Sequence, residues 1–248
     1  MLDTRTPSVA RAYDYLLGGE ASFAADRALA GRLVALYPRL ADTLTASRTH
    51  VADAVAGIAG QGVDQYLDVG AGLPTRPATH ATARALLPAA RVTYIDRDPL
   101  VVEHAAALIP AGVRYQVGDL TEPEALLAAL SYRRPGAGPQ SAGFIDFSRP
   151  VCLVLALVLQ ALEPGTARAV VGVLVKALPP GSYLVATVGA GDGGRLPDSV
   201  WPAGPTGPAE SDLAAFFGGL DLLPPGVTRR GDVLCGVGVA PAPGRPHG

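Results

Sequence analysis

The chain carries little charge, few cysteines and no long apolar run. Charged residues make up 17% of its 248 positions and the net charge is -2. Soluble domains average roughly 25% charged residues, and proteins that grip nucleic acid usually have a basic surplus, so nucleic acid is not an expected partner. The longest apolar stretch, Val151 to Leu159, is far short of the ~20 residues needed to cross a bilayer; no membrane span is expected. The N-terminus, Met-Leu-Asp-Thr-Arg, lacks the apolar segment of a signal peptide, and the expected location is the cytoplasm. Cys152 and Cys235 stand far apart, each in apolar surroundings. They form neither a disulfide framework nor a metal signature and read as small core residues. His50, His80, His104 and His247 show no ligand spacing, so no metal is expected.

What is present is a core. Apolar residues make up 49%, and the length fits one large domain better than two small ones. Gly 30 and Pro 23 fall short of the level that marks a disordered chain, so long Gly/Pro loops are expected between packed elements. Residues 8–60 read as helical, broken at Gly18-Gly19 and Pro38, and form an expected N-terminal cap over residues 1–60. Residues 61–240 then alternate. Strands are expected at Gln65–Gly70, Arg91–Asp96, Val113–Val117, Pro150–Leu155 and Ser182–Val188, with helices between them. Asp98 before Pro99 is a helix start, and Thr121 with Glu124 has the form of a capping box. A further helix near Ala209–Phe217 and two strands, Leu220–Leu223 and Val233–Val239, close the domain, and residues 241–248 form a loose tail. This pattern predicts an α/β fold: a doubly wound, Rossmann-like, seven-stranded sheet, mostly parallel, with a terminal antiparallel pair. In such folds ligands bind at the carboxyl ends of the strands.

Three strand ends carry a consistent chemistry. After the first stands Asp68-Val-Gly70-Ala-Gly72-Leu-Pro-Thr75, where two glycines let the backbone approach a ligand. Thr75 replaces the third small residue of a dinucleotide fingerprint, which disfavours a pyrophosphate. Asp96 ends the second strand and can accept hydrogen bonds from both hydroxyls of a ribose. Asp119 follows the third and can accept from an adenine amino group. Taken in order, Asp68, Gly70, Gly72, Asp96 and Asp119 predict one cleft of the kind that holds S-adenosylmethionine. The 189–209 segment, rich in Gly and Pro and holding Trp201, has the length and place of a lid.

These residues also carry a family resemblance. Pro7-Ser-Val-Ala-Arg-Ala-Tyr-Asp-Tyr-Leu-Leu-Gly-Gly19, Phe23-Ala-Ala-Asp-Arg27, Leu67-Asp-Val-Gly-Ala-Gly-Leu-Pro-Thr75 and Tyr94-Ile-Asp-Arg-Asp-Pro99 begin it. Asp119-Leu-Thr-Glu-Pro123, Asp146-Phe-Ser-Arg-Pro150, Pro180-Gly-Ser-Tyr-Leu184 and Gly218-Gly-Leu-Asp-Leu-Leu-Pro-Pro-Gly226 continue it. Over about residues 7–226 the chain resembles the actinobacterial S-adenosylmethionine-dependent methyltransferases once grouped as a domain of unknown function. Lys176 is the only lysine, a bias toward arginine that fits a GC-rich genome. The resemblance implies a class I methyltransferase fold with a helical cap and S-adenosylmethionine as cofactor. The chain departs from the family's usual residues after the fourth and fifth strands: Leu159-Gln160 stands for Leu-His, and Thr187-Val188 for Ser-His. Ser47-Arg48 stands for Asn-Arg, and a Trp-Arg-Pro stretch near the end is absent.

Methyl transfer is an in-line substitution that relies chiefly on positioning, and a base helps only when the nucleophile must lose a proton. Tyr13, Tyr15, His80 and Gln160 are the candidate catalytic residues, and Arg48 and Arg97 are candidates for holding a substrate or an anion. The leading expectation is a small-molecule methyltransferase of a bacterial biosynthetic pathway. Two alternatives stand beside it. In the first, the fold is reassigned to a substitution within one substrate, such as aziridine closure with an anionic leaving group, and the cofactor is lost. In the second, the chain is a non-catalytic binding subunit. A second copy of the chain or a partner subunit is compatible with any of these.

Overall fold

The computed structural model describes residues 3–131, 145–190 and 209–242. The expected lid with Trp201, the Gly/Pro stretch at 133–143 and most of the tail lie outside the described residues. Three helices come first: α1 (Val9–Leu16), α2 (Ala24–Leu36) and α3 (Leu40–Gly60). They break where Gly18, Gly19 and Pro38 predict. Strands and helices then alternate as β1 (Gln65–Val69), α4 (Thr79–Leu86), β2 (Arg91–Asp96), α5 (Pro99–Ala106), β3 (Val113–Val117) and α6 (Pro123–Ser131). The second half runs β4 (Cys152–Ala156), α7 (Pro164–Ala177), β5 (Tyr183–Gly189), α8 (Glu210–Ala215), β6 (Asp221–Leu222), β7 (Thr228–Arg230) and β8 (Val233–Val239).

The sheet order is β3-β2-β1-β4-β5-β8-β6, with β7 also paired to β8. β1 to β5 are parallel, and β8 runs antiparallel to β5. The sheet thus has eight strands instead of the expected seven. The extra one, β7, is Thr-Arg-Arg and carries no apolar alternation for a sequence reading to find. It pairs with the start of β8, Arg230 opposite Val233, while β6 pairs with its end, Asp221 opposite Val239. One long strand therefore serves both short ones.

Side chains alternate across each parallel strand. Leu67, Val69, Leu153, Leu155 and Leu184 face a core closed by α6, α7 and α8. Tyr66, Val92, Tyr94, Val154 and Val185 face a second core closed by α3 and α4. Cys152 and Cys235 are buried and free; burial pushes the Cys235 thiol up to about 11. α5 starts as expected, with Asp98 accepting from Leu100 N and Pro99 in the first turn. The capping box at Thr121 does not form. The Thr121 amide and hydroxyl both donate to Asp119 Oδ1, at 2.8 Å, and the helix begins at Pro123, where proline is pre-shaped for the first turn.

α3 lies on the sheet, with Val51, Val55 and Ile58 in its core, while α1 stands above the strand ends and α2 packs against α1 and α3. The link between α2 and α3 is tied to the β7–β8 turn: Tyr37 Oη donates to Asp232 Oδ2 at 2.7 Å, and Arg39 pairs with the same oxygen at 2.6 Å. No helix among the described residues is long and apolar enough to cross a membrane.

Candidate functional site

A cleft of about 430 Å³ opens over the carboxyl ends of β1 to β4, within the usual ~300–1,000 Å³ of small-molecule sites. Helical spacing supplies its roof. Ala10, Tyr13, Asp14 and Leu17 recur at i, i+3, i+4 and i+7 on α1 and just past its end, so they share one face, and all four line the cleft. Tyr15 falls on the opposite side and is 42% exposed. α3 contributes Leu44, Ser47 and Arg48 by the same spacing.

The floor is the turn after β1. Gly70 and Gly72 take φ of +71° and +61°, a region glycine enters without the penalty of a Cβ. The amides of Gly70 and Ala71 donate to the Ile95 carbonyl at 2.9 and 3.0 Å. Gly72 N donates to Asp96 Oδ2 at 3.0 Å, and the Tyr115 hydroxyl donates to the Gly72 carbonyl. Thr75, the residue that spoils the dinucleotide fingerprint, donates its hydroxyl to Asp14 Oδ1 at 2.7 Å. Asp14 also accepts from Ala21 N, so α1 is latched to the turn. Gly70 is the tightest point: a Cβ there would lie 2.3 Å from Val158 Cγ2, whereas one at Gly72 would find its nearest atom at 3.5 Å. Gly70→Ala is expected to destabilise the fold by about 2–5 kcal/mol, from overpacking and left-handed strain together. Gly72→Ala is expected to lose only ~1–2 kcal/mol. Thermal melts of the two variants check the order; equal losses would contradict it.

Asp96, at the end of β2, is partly buried. Burial pushes its carboxyl up, and the Asp98 and Gly72 amides that it accepts from pull it down; the net direction is upward. Asp119, after β3, is held below the usual carboxylate value by its hydrogen bonds from Thr121. Arg97 sits at the rim. Arg48 donates from Nη2 to the Ala71 carbonyl at 3.3 Å. Tyr13 lines the cleft, and burial drives its hydroxyl well above the usual phenol value, so it remains a phenol at any physiological pH.

Four expected site residues stand elsewhere. Asp68 lies below the turn, fully buried, accepting from Thr79 Oγ1 at 2.7 Å. Burial raises its carboxyl, opposed by Arg48 and by the Thr79 hydrogen bond. It shares strand parity with Tyr66, so it points to the α3–α4 side instead of the cleft. His80 faces Tyr94: its Nδ1 and its backbone amide both lie 2.9 Å from the Tyr94 hydroxyl. Gln160 is buried and accepts from Gly189 N at 3.1 Å, bracing the ends of β4 and β5. Tyr15 is turned to solvent. The cleft therefore brings together Tyr13, Arg48, Gly70, Gly72, Asp96, Arg97 and Asp119. The sequence reading missed the pairing of Asp14 with Thr75, 61 positions apart, for which no local signal exists. Among the described residues no three His, Cys, Asp or Glu side chains are grouped so as to hold a metal ion.

This geometry agrees with what the chain is similar to. A candidate methyltransferase from Thermobifida fusca YX is 33% identical, with a TM-score of 0.79 over 97% of both chains. A DUF574 family protein from Streptomyces avermitilis MA-4680 is 26% identical, with a TM-score of 0.82 over 97% of this chain and all of that one. The N-methyltransferase NodS from Bradyrhizobium japonicum WM9, in complex with S-adenosyl-L-homocysteine, shares the fold at 17% identity, with a TM-score of 0.50 over 77% of this chain and 86% of that one. Curated proteins give no match. The family model for S-adenosyl methyltransferases matches residues 1–232, and the chain belongs to that family.

Proposed function

We propose that the chain is a small-molecule methyltransferase, using S-adenosylmethionine in a bacterial biosynthetic pathway. The observation that carries this reading is the order of the strand ends. Asp119, Asp96 and the Gly70–Gly72 turn follow β3, β2 and β1, which are neighbours in that order, and all three line one cleft. The cofactor fits these residues. A carboxylate has about four acceptor positions, and Asp96 uses one on each oxygen for backbone amides. Two remain for the hydroxyls of a ribose. Asp119 binds Thr121 through Oδ1, and Oδ2 stays an acceptor for an adenine amino group. The glycine turn offers close backbone approach to the methionine portion, and Arg48 beside Ala71 offers a cation to its carboxylate.

When bound, S-adenosylmethionine supplies an electrophilic methyl group. The protein's contribution is to hold a nucleophile in line with it, and the turn after β4 and α1 line the cleft there with Leu157, Val158 and Tyr13. Tyr13, fixed as a phenol, can donate a hydrogen bond to an acceptor but does not serve as its base. Arg97 at the rim is placed to meet an anionic group entering the cleft.

Isothermal titration with S-adenosylmethionine tests the assignment. Saturable heat at micromolar concentrations is expected. A folded protein that gives no heat at high micromolar cofactor would overturn it and leave only the fold.

A further inference from the structure

Leu157 is the one residue other than glycine with positive φ among the described residues, at +54°. A branched side chain rarely enters that region, and residues held there cluster at ligand sites where surrounding structure over-determines them. The surrounding structure here is specific. Leu157 N donates to the Thr187 carbonyl at 3.0 Å and also lies 3.2 Å from Thr187 Oγ1. Thr187 is fully buried, and its hydroxyl is 2.7 Å from that of Ser47. The turn after β4 is thus fastened to β5 and to α3 at the residue before Arg48.

The conformation has a consequence for the side chain. Leu157 packs against the cluster of Leu33, Tyr37, Leu40 and Leu44 in the helical cap, and it also lines the cleft. With Leu17, Leu44, Val158 and Leu162 it makes an aliphatic wall. Leu17 and Leu44 line the cleft from the helical cap, while in the sheet order Leu157, Val158 and Leu162, which follow β4, stand on the β4 side of the glycine turn, at the opposite end of the cleft from Asp119. If the cofactor lies as proposed above, this is the end where the methyl acceptor sits.

We propose that Leu157, set by Thr187, is a specificity-determining residue, and that the acceptor it selects has an apolar body, an alkyl chain or an aromatic ring, lying against this wall. Glycine would take the same backbone turn without strain, so the leucine side chain is the part the fold retains at a cost. The proposal rests on the methyltransferase reading, and its test separates the two.

Straight-chain alcohols from propanol to heptanol are titrated into the protein alone and into protein saturated with S-adenosylhomocysteine. They are neutral, so the arginines and carboxylates of the cleft do not bias the series. Each added methylene is expected to tighten binding about three- to fourfold until the wall is covered. Leu157→Asn is the matched variant: similar in size, polar, and more at ease in the left-handed region; a thermal melt recorded beside the titration checks that it is folded. It is expected to bring the gain per methylene close to onefold over part of the series while leaving the affinity for S-adenosylhomocysteine unchanged. An affinity independent of chain length in the wild type would overturn the apolar acceptor. An unchanged gain in Leu157→Asn, or a lost affinity for S-adenosylhomocysteine in that variant, would overturn the role of Leu157. Chain-length dependence in a protein that does not take S-adenosylhomocysteine would support the wall and reject the cofactor reading.

Discussion

Replacing Asp96 with alanine is expected to weaken S-adenosylmethionine binding by about a hundredfold or more. On the reading proposed above the side chain accepts from two ribose hydroxyls, and hydrogen bonds to a charged group are worth ~1.5–3 kcal/mol each. Asp96 also holds Gly72 N at 3.0 Å, so its loss loosens the turn under the cofactor. Asp96→Asn keeps the shape and one carbonyl acceptor, and an intermediate loss is expected. Acidification should act in the same direction. Burial raises the Asp96 carboxyl above its ordinary value, and protonation removes acceptor capacity. Affinity is therefore full above that raised value and falls as the pH drops through it, a limb that Asp96→Asn should lack. Titration calorimetry of the three proteins at several pH values, beside their melting curves, is the measurement. An Asp96→Ala protein that melts like the wild type and still binds within threefold would show that the ribose lies elsewhere.

The parts of this site that could be read from sequence are those fixed by local periodicity. β2 and β3 are legible as short strands alternating with helices, and their last residues lead into the cleft because parallel strands present all their carboxyl ends on one edge. The α1 face follows from the spacing of Ala10, Tyr13, Asp14 and Leu17. Parity also contained a warning about Asp68: it alternates with Leu67 and Val69 and belongs with Tyr66 on the α3–α4 side. What could not be read depends on partners distant in sequence. Gln160 sits after β4, where a substrate ligand is plausible, but Gly189 N from the end of β5 claims its side chain. His80 follows the glycine turn by a suitable interval, yet Tyr94 from β2 holds it. Thr121 lost its capping role to the carboxylate two residues before it. Leu157 gave no signal, because nothing in an apolar run announces a left-handed residue; its conformation is imposed by Thr187 across the sheet.

The largest loss of stability is expected from Asp26→Ala. Asp26 and Arg11 form an ion pair at 2.7 Å with side chains 0% and 3% exposed. Asp26 also accepts from Ser8 N and Phe23 N, each at 2.8 Å, and Arg11 reaches the Thr6 carbonyl at 2.8 Å. Removing the carboxylate leaves a buried guanidinium without its counter-charge, and breaking such a pair from one side costs about 3–5 kcal/mol. In a chain of this length that corresponds to a melting temperature lower by roughly 6–20 °C. The pair ties α1 to α2 beside the packing of Tyr13, Leu16 and Leu17 on the Leu33 cluster, and α1 brings Tyr13, Asp14 and Leu17 to the cleft, so cofactor affinity should fall with stability. The pH dependence has a definite sign. Burial raises the Asp26 carboxyl, but Arg11 and the Ser8 and Phe23 amides outweigh it and hold it below 3.8. Its contribution is therefore complete above the unfolded value near 4 and is lost as the pH falls through the folded one. The stability gap between wild type and Asp26→Asn should stay constant from pH 5 to 8 and narrow only in stronger acid. Replacing both partners, Arg11→Met with Asp26→Leu, removes the charges together and should recover most of the loss, since apolar pairs of similar volume often match a buried ion pair. Denaturant unfolding of the single and double variants is the check. A double variant no more stable than Asp26→Ala would mean that the amide contacts of Asp26, and not its pairing with Arg11, hold α1 in place.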